Sequence, residues 1–317
     1  MIKIRNLTKR YENLVAVDNI NLEIEKNEVF GLLGPNGAGK TTVIHMLATL
    51  LKPTTGTAVV NGYDIITEPS KVRSSIGIVF QAPSSDDMLT GYENLKVHSF
   101  LYGVAANERE HRIQSVLELV GLAQRQHDQV KKYSGGMRRR LEIARGLLHK
   151  PKVMFLDEPT LGLDPSSREM MWEYIQKLVR EEEMTIILTT HYMEEADYLC
   201  NRIGIIDEGR IIALDTPSNL KKLVGGDIVK IRPKSYPDLE TLRKLIYIRK
   251  IDLAEGEVIM YVDNARKNIP DILQHLDAEY VEFRSPDLND VFLKLASKNI
   301  KERAEGGYME RFAEYGR

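Results

Sequence analysis

Among 317 residues there is one cysteine, Cys200, and one tryptophan, Trp172. A single cysteine cannot close an internal disulfide, which excludes a disulfide-stapled scaffold and points to a reducing compartment. No apolar run approaches the ~18 residues that a membrane-spanning helix needs. The oiliest stretches, VMFL at Val153–Leu156 and TIIL at Thr185–Leu188, are short and read as buried strands of a parallel sheet. Met1–Arg10 reads as a charged, alternating strand, so no secretory leader is expected. Charge of one sign is also missing: 44 Lys and Arg against 46 Asp and Glu leave a net −2. Nucleic acid is therefore not an expected partner, since its binders usually carry a clear basic excess. The seven histidines have no metal-ligand spacing, and there is neither an internal repeat nor a low-complexity tract.

What is present is ordinary globular composition, 43% hydrophobic and 28% charged, in a chain long enough for about two domains. Ile2, Ile4, Val15, Val17, Ile20, Leu22 and Ile24 keep the two-residue strand period. Val29–Leu33 is a short apolar strand, followed by a glycine-rich turn and a helix expected over Lys40–Leu51, stopped by Pro53. Thr57–Val60 and Ile76–Phe80 resume β character. From Gly91 to about Lys150 the pattern turns helical, as in Leu141, Ala144, Leu147 and Leu148. Strands at Val153–Leu156, Thr185–Leu188, Ile203–Ile206 and Arg210–Leu214 follow. Strands alternating with helices predict a mostly parallel sheet that binds ligand at its carboxyl edge.

Val224–Gly226 reads as a boundary, giving a first domain over 1–222 with a helical part at about 88–150. Beyond it come a strand at Ile228–Arg232, a helix at Asp238–Leu245, a hairpin around Ala254–Gly256, a helix at Asn268–Leu276, a strand at Tyr280–Arg284 and a helix at Leu288–Ser297. That order predicts a small α+β domain of ferredoxin-like type over 226–299. A polar tail over 300–317 is expected to fray.

Three patterns carry chemistry. Gly34, Pro35, Asn36, Gly37, Ala38, Gly39, Lys40 and Thr41 fit G-x-x-x-x-G-K-[ST] between a strand and a helix, with Thr42 next in line. Glycines let the backbone N–H groups curl around phosphate oxygens, and the helix amino terminus adds roughly half a positive charge. Lys40 supplies a point charge for the terminal phosphates and Thr41 a hydroxyl for magnesium. Asp157 and Glu158 end an apolar strand, suiting a magnesium ligand followed by a water-activating base; a solvated turn before Pro159 is the plain alternative. Ser134, Gly135 and Gly136 open a helix, a second amino terminus suited to phosphate, although capping alone would explain the serine. The arginine run Arg138–Arg140 reads as a solvated or ion-paired face. Trp172 and the Met170–Met171 pair read as helix packing, and Cys200 as core.

Together these patterns resemble the ATP-binding cassette (ABC) ATPases over Met1 to about Leu220. GPNGAGKTT at Gly34–Thr42 is similar to their Walker A loop, VMFLDEP at Val153–Pro159 to their Walker B strand, YSGGM at Tyr133–Met137 to their signature and LGLDP at Leu161–Pro165 to their D-loop. Gln81 and His191 stand where the Q-loop glutamine and the switch histidine fall. Tyr133 and Met137 depart from the commoner LSGGQ. The resemblance implies a P-loop NTPase cassette with a mixed sheet, a β subdomain and a helical subdomain, using ATP and Mg2+. It implies that Tyr11 stacks on adenine, that Thr41, Gln81 and Asp157 serve the metal, and that Glu158 and His191 act in catalysis. Ser134–Gly136 would complete the site of a second cassette, and Asp164 would bridge to it; Asp164 read alone is a turn or helix cap.

One chain has one of each half-site, so a dimer of two cassettes, most simply a homodimer, is implied, together with a separate membrane-embedded permease docking near Gln81–Leu95. The location implied is peripheral, at the cytoplasmic face of the membrane. The second domain, ending in Ser285-Pro-Asp-Leu-Asn-Asp-Val-Phe-Leu, resembles the daunorubicin and drug-resistance branch of exporters. Two alternatives compete: a cassette ATPase acting on ribosomes or DNA, and a regulatory nucleotide-binding module without turnover. One cassette without a heptad insertion speaks against the first, and retention of Glu158 and His191 against the second.

Overall fold

A computed structural model describes residues 1–235, 238–254 and 256–295. They form two compact units that divide at Leu214 and Asp215. The division falls ahead of Val224–Gly226, where the sequence places it.

The first unit begins with β1 (Ile2–Tyr11), β2 (Leu14–Ile24) and β3 (Val29–Leu33), then α1 (Lys40–Leu47), β4 (Thr55–Val60) and β5 (Tyr63–Asp64). α2 (Pro69–Ser75) and β6 (Ile76–Val79) lead into three helices, α3 (Gly91–Leu101), α4 (Ala106–Leu119) and α5 (Gly135–Leu147). β7 (Val153–Asp157), α6 (Pro165–Glu182), β8 (Thr185–Thr190), α7 (Met193–Leu199), β9 (Arg202–Asp207) and β10 (Arg210–Asp215) complete it. The alternating strands β1 and β2 join an antiparallel sheet in the order β2-β1-β4-β5. Ile2, Ile4, Val17, Ile20 and Ile24 are buried there in one core with Phe30, Ile44 and Phe155.

The six-stranded sheet runs β10-β9-β3-β8-β7-β6. β3, β7 and β8 are buried along their whole length, the signature of strands covered on both faces. β3 pairs parallel with β8, and β8 with β7, so Leu33 lies opposite Thr190 and Asp157 opposite Thr189. The carboxyl ends of these three strands, where polar residues begin, therefore share one edge.

α1 ends at Leu47, four residues short of the expected Leu51. Thr49 turns left-handed at φ 62° and the amides of Leu50 and Leu51 fold back onto the His45 carbonyl, so the helix is closed before Pro53 acts. Met171 packs as expected, but Met170 lies exposed on the other side of α6. Cys200 is buried.

The second unit holds α8 (Pro217–Lys222), β11 (Asp227–Pro233), α9 (Leu239–Arg243), β12 (Ile248–Ala254), β13 (Glu257–Val262), α10 (Ala265–Ile272), β14 (Ala278–Arg284) and a helix at 288–295. Its sheet, β12-β13-β11-β14, is antiparallel at each pairing, which is the split βαβ order of a ferredoxin-like fold. Val229, Ile231, Met260, Val262 and Ile272 form its own core. α10 starts at Ala265, earlier than the expected Asn268, because Asp227 reaches from β11 to accept the Ala265 amide at 2.9 Å. The expected tail over 300–317 and the helix end at Ser297 lie outside the described residues.

Candidate nucleotide site

The loop between β3 and α1 is pressed against backbone on two sides. A Cβ at Gly34 would meet the Ile206 carbonyl at 2.2 Å, and one at Gly39 (φ 102°) the Ala16 carbonyl at 2.3 Å. Only glycine lets the chain pass there and still open α1 with its first amides free of a helical partner. Lys40, 5% exposed, folds back so that Nζ donates to the carbonyls of Gly34 (2.8 Å) and Pro35 (3.0 Å). Burial pulls its pKa down, while the charges of Glu158 and Asp157 oppose that shift.

Asp157 and Glu158 reach the same spot from β7. Asp157 Oδ1 accepts from Thr41 Oγ1 at 3.1 Å and from Thr189 Oγ1. Glu158 sits in the left-handed region at φ 47°, and its amide donates to Thr189 Oγ1 at 3.0 Å. Its Oε1 lies 3.8 Å from Lys40 Nζ and 3.2 Å from His191 Nδ1. Lys40 of the loop, the carboxylate pair and the histidine thus meet in one cluster, because β3, β7 and β8 are neighbours with their carboxyl ends together. Among the described residues no three His, Cys, Asp or Glu side chains gather as a metal site. Thr41 and Asp157 offer a hydroxyl and a carboxylate, the sparse oxygen set compatible with magnesium, which takes its other ligands from water and phosphate.

The other expected site residues stand on β1, after β6 and at the starts of α5 and α6. Tyr11, 43% exposed at the end of β1, has the Lys9 ammonium 5.1 Å from its ring centroid. Gln81 follows β6, the partner strand of β7, and is exposed. Ser134 caps α5, its Oγ accepting the Met137 amide at 3.3 Å, and leaves Gly135 exposed beside it. Asp164 caps α6 by accepting from the Ser167 amide (3.0 Å) and hydroxyl (2.6 Å). Tyr133, the departure in the signature, is buried and donates its hydroxyl to the Arg125 carbonyl at 2.8 Å.

Arg139 corrects the reading of the arginine run as a solvated face. Arg138 pairs with Asp87, as that reading expects, but Arg139 is only 7% exposed. It donates to the carbonyls of Pro159 (2.8 Å), Asp157 (2.8 Å), Glu158 (3.0 Å) and Phe80. The signal available in sequence was its spacing, three after Gly136 and four before Ile143, both buried on that face of α5. Thr189, which bridges Asp157 to the Glu158 amide, was also missed; it was readable only as one of two threonines that follow the apolar run Ile186–Leu188.

A glycine-rich loop with a buried lysine facing a strand-end carboxylate pair defines a P-loop nucleoside triphosphatase, and comparison with known proteins narrows it. Residues 17–161 match the family model described as ABC transporter. The linearmycin resistance ATP-binding protein of Bacillus subtilis is 37% identical over 95% of this chain and 100% of its own. A daunorubicin resistance ATP-binding protein of Streptomyces coeruleorubidus is 39% identical over 93% and 94%. Among solved structures, the cassette MJ0796, a dimer in a post-hydrolysis state bound to ADP and Pi, superposes with a TM-score of 0.62 at 29% identity, covering 68% of this chain and 98% of that one. The chain belongs to the ABC transporter family. It is an ATP-binding cassette ATPase whose hydrolysis is coupled to transport, and the ribosome-acting, DNA-acting and purely regulatory alternatives fall away.

Proposed function

We propose that this chain is the motor of a drug-type exporter, peripheral to the cytoplasmic face of the membrane, working as a homodimer on a separate permease. The carrying observation is Glu158 Oε1 set between Lys40 Nζ and His191 Nδ1 at the edge where the phosphate loop opens. In this reading Gly34–Thr42 wraps the phosphates, with Lys40 leaving its two carbonyl partners for the terminal phosphate oxygens. Thr41 and Asp157, joined by Gln81 from the end of β6, would hold magnesium, which would supply charge neutralisation of the phosphates. Glu158 orients and deprotonates the attacking water, and His191 fixes the geometry of that carboxylate and of the γ-phosphate. Tyr11 stacks on adenine. Ser134–Gly136 presents the free amides of α5 to the nucleotide of the opposite cassette, and Asp164 lies beside that junction.

The docking face runs from Gln81 to Leu95. Ala82, Pro83, Ser84, Asp86 and Asp87 are exposed, and α3 beyond them carries the exposed apolar side chains Val97, Phe100 and Leu101. Among the described residues no helix is long and apolar enough to cross a membrane, which fits a motor that needs a separate span. Relatives named for linearmycin and daunorubicin resistance support export of a drug-like compound.

The test is sedimentation velocity of Glu158→Gln with and without magnesium-ATP. Turnover is expected to fall about 100-fold or more, and a dimer is expected only with ATP. A persistent monomer that still binds ATP would place the second half-site on a different chain, and wild-type turnover would remove Glu158 from its role.

A further inference from the structure

α5 does more than open on the signature turn. Arg139 and Glu142, three residues apart on one face of it, take opposite ends of the loop that follows β6. Arg139 donates to the carbonyls of Phe80 and, at 3.5 Å, Gln81. Glu142, 4% exposed, accepts the backbone amides of Ser84 (3.1 Å) and Ser85 (2.8 Å) on Oε1 and the Ser84 hydroxyl (2.9 Å) on Oε2. The guanidinium takes carbonyls and the carboxylate takes amides, so each charge is matched to the polarity of the backbone it holds. Residues 81–84 are exposed and belong to no strand or helix, so their own packing gives them little to rest on.

The carboxylate is itself supported. Arg145 Nη1 lies 2.9 and 2.7 Å from the two Glu142 oxygens and 2.9 Å from the Ser84 hydroxyl. Burial pushes the Glu142 carboxyl upward in pKa, but Arg145 and the serine donors outweigh it and hold the group below the ordinary carboxylate range. The same Arg139 binds the carbonyls of Asp157 and Glu158, which fixes α5 to the end of β7 as well.

We propose that Glu142, with Arg139, is a positioning residue that clamps the 80–85 loop to the signature helix, so that Gln81, the docking loop and the Ser134–Gly136 turn move as one body. This rests on the functional reading above, since the motion it transmits is the one nucleotide drives. Neither residue touches nucleotide in it. The clamp acts through backbone, which is why the serines of the loop need offer only amides and one hydroxyl.

Hydrogen exchange on the full chain, with and without magnesium-ATP, tests it in wild type, Glu142→Asp, Glu142→Gln and Glu142→Ala. Expected in wild type is joint protection of 80–87 and 134–140 when ATP is added. Without nucleotide, the Ser84 and Ser85 amides should exchange about tenfold faster or more in Glu142→Ala. Asp, which keeps the charge, should restore most protection, and Gln, near in shape, only part. In Ala and Gln the ATP response of 80–87 should vanish while that of 134–140 stays and ATP affinity by calorimetry changes less than about twofold.

An ATP response of 80–87 in Glu142→Ala equal to wild type would overturn the clamp. So would exchange rising evenly through α3 and α5, which would make Glu142 a packing residue; Glu142→Gln keeps the question open to measurement if the alanine variant does not fold. Wild type that binds no ATP, or binds it without any change in 134–140, would overturn the nucleotide-site reading itself.

Discussion

Lys40 and Thr189 bracket what a single residue can reveal here. Lys40 is legible as a candidate because its pattern is local: a glycine loop, a lysine and a hydroxyl, contiguous in sequence, match the motif of a phosphate cradle. Its ammonium already spends two donors on the carbonyls of Gly34 and Pro35 inside the loop. Lys40→Ala should therefore weaken ATP binding at least about 100-fold, measured by calorimetry; unchanged affinity would dismiss the loop as the phosphate site. Thr189 was hidden because its work depends on β8 lying in register beside β7, which no local pattern states. Its hydroxyl holds both Asp157 and the amide of Glu158, a residue kept at φ 47° against a cost of about 1 kcal/mol or more. Thr189→Val keeps the shape and removes the hydroxyl. Steady-state kinetics should give a kcat lower by about tenfold or more, with KM for ATP nearly unchanged. A rise in KM alone would mean Thr189 serves binding rather than the carboxylate.

At the scale of elements, helices and strands were legible wherever period and burial agree, as in β1, β3, β7 and β8. Their ends were less so. α1 closes by a left-handed Thr49, and α10 opens on a carboxylate borrowed from β11, both invisible to a local reading. The helical part also carries a titration that periodicity does not announce. His98 of α3 abuts Arg145 of α5, with the ring of Tyr102, the residue that closes α3, beside it and Glu142 nearby. Burial and the Arg145 guanidinium push its imidazole down to about 4, and Glu142 only partly resists. The folded pKa lies below the unfolded value of 6.5, so the unfolded chain takes the proton first. Stability from this source is whole above pH 6.5 and is lost progressively from there down to about pH 4. His98→Gln should flatten the fall in urea midpoint between pH 7 and 5; an unchanged slope would assign that fall to other groups. Tyr133 belongs to the same set of helices. Its hydroxyl is bonded to the Arg125 carbonyl, so Tyr133→Leu, which restores the commoner signature residue, should cost about 1 kcal/mol while leaving ATP turnover intact. A melting curve paired with an ATPase assay separates the two effects.

For the molecule as a whole, the motifs from Gly34 to His191 made the cassette legible, and element order alone made the ferredoxin-like unit legible, because βαββαβ is an order of elements and needs no knowledge of contacts. The place of division was harder to read. The glycine pair of Val224–Gly226 follows α8, and α8 clusters with the second unit, so the two compact units divide ahead of that pair. Every side chain in the buried site, from Lys40 to His191, lies before Leu214, and the second unit has a separate core built on Val229, Ile231 and Met260. Two independent cores mean that removing one need not unfold the other. A chain ending at Asp215 should therefore bind ATP with an affinity within about threefold of the full protein, a difference under 1 kcal/mol. If the second unit serves assembly, as its resemblance to the drug-resistance branch implies, the same truncation in the Glu158→Gln background should raise the ATP concentration needed to form the dimer in sedimentation. Equal dimerisation would leave the second unit a role outside assembly. Loss of ATP binding would instead mean that the cassette depends on residues beyond Asp215 to hold its phosphate loop.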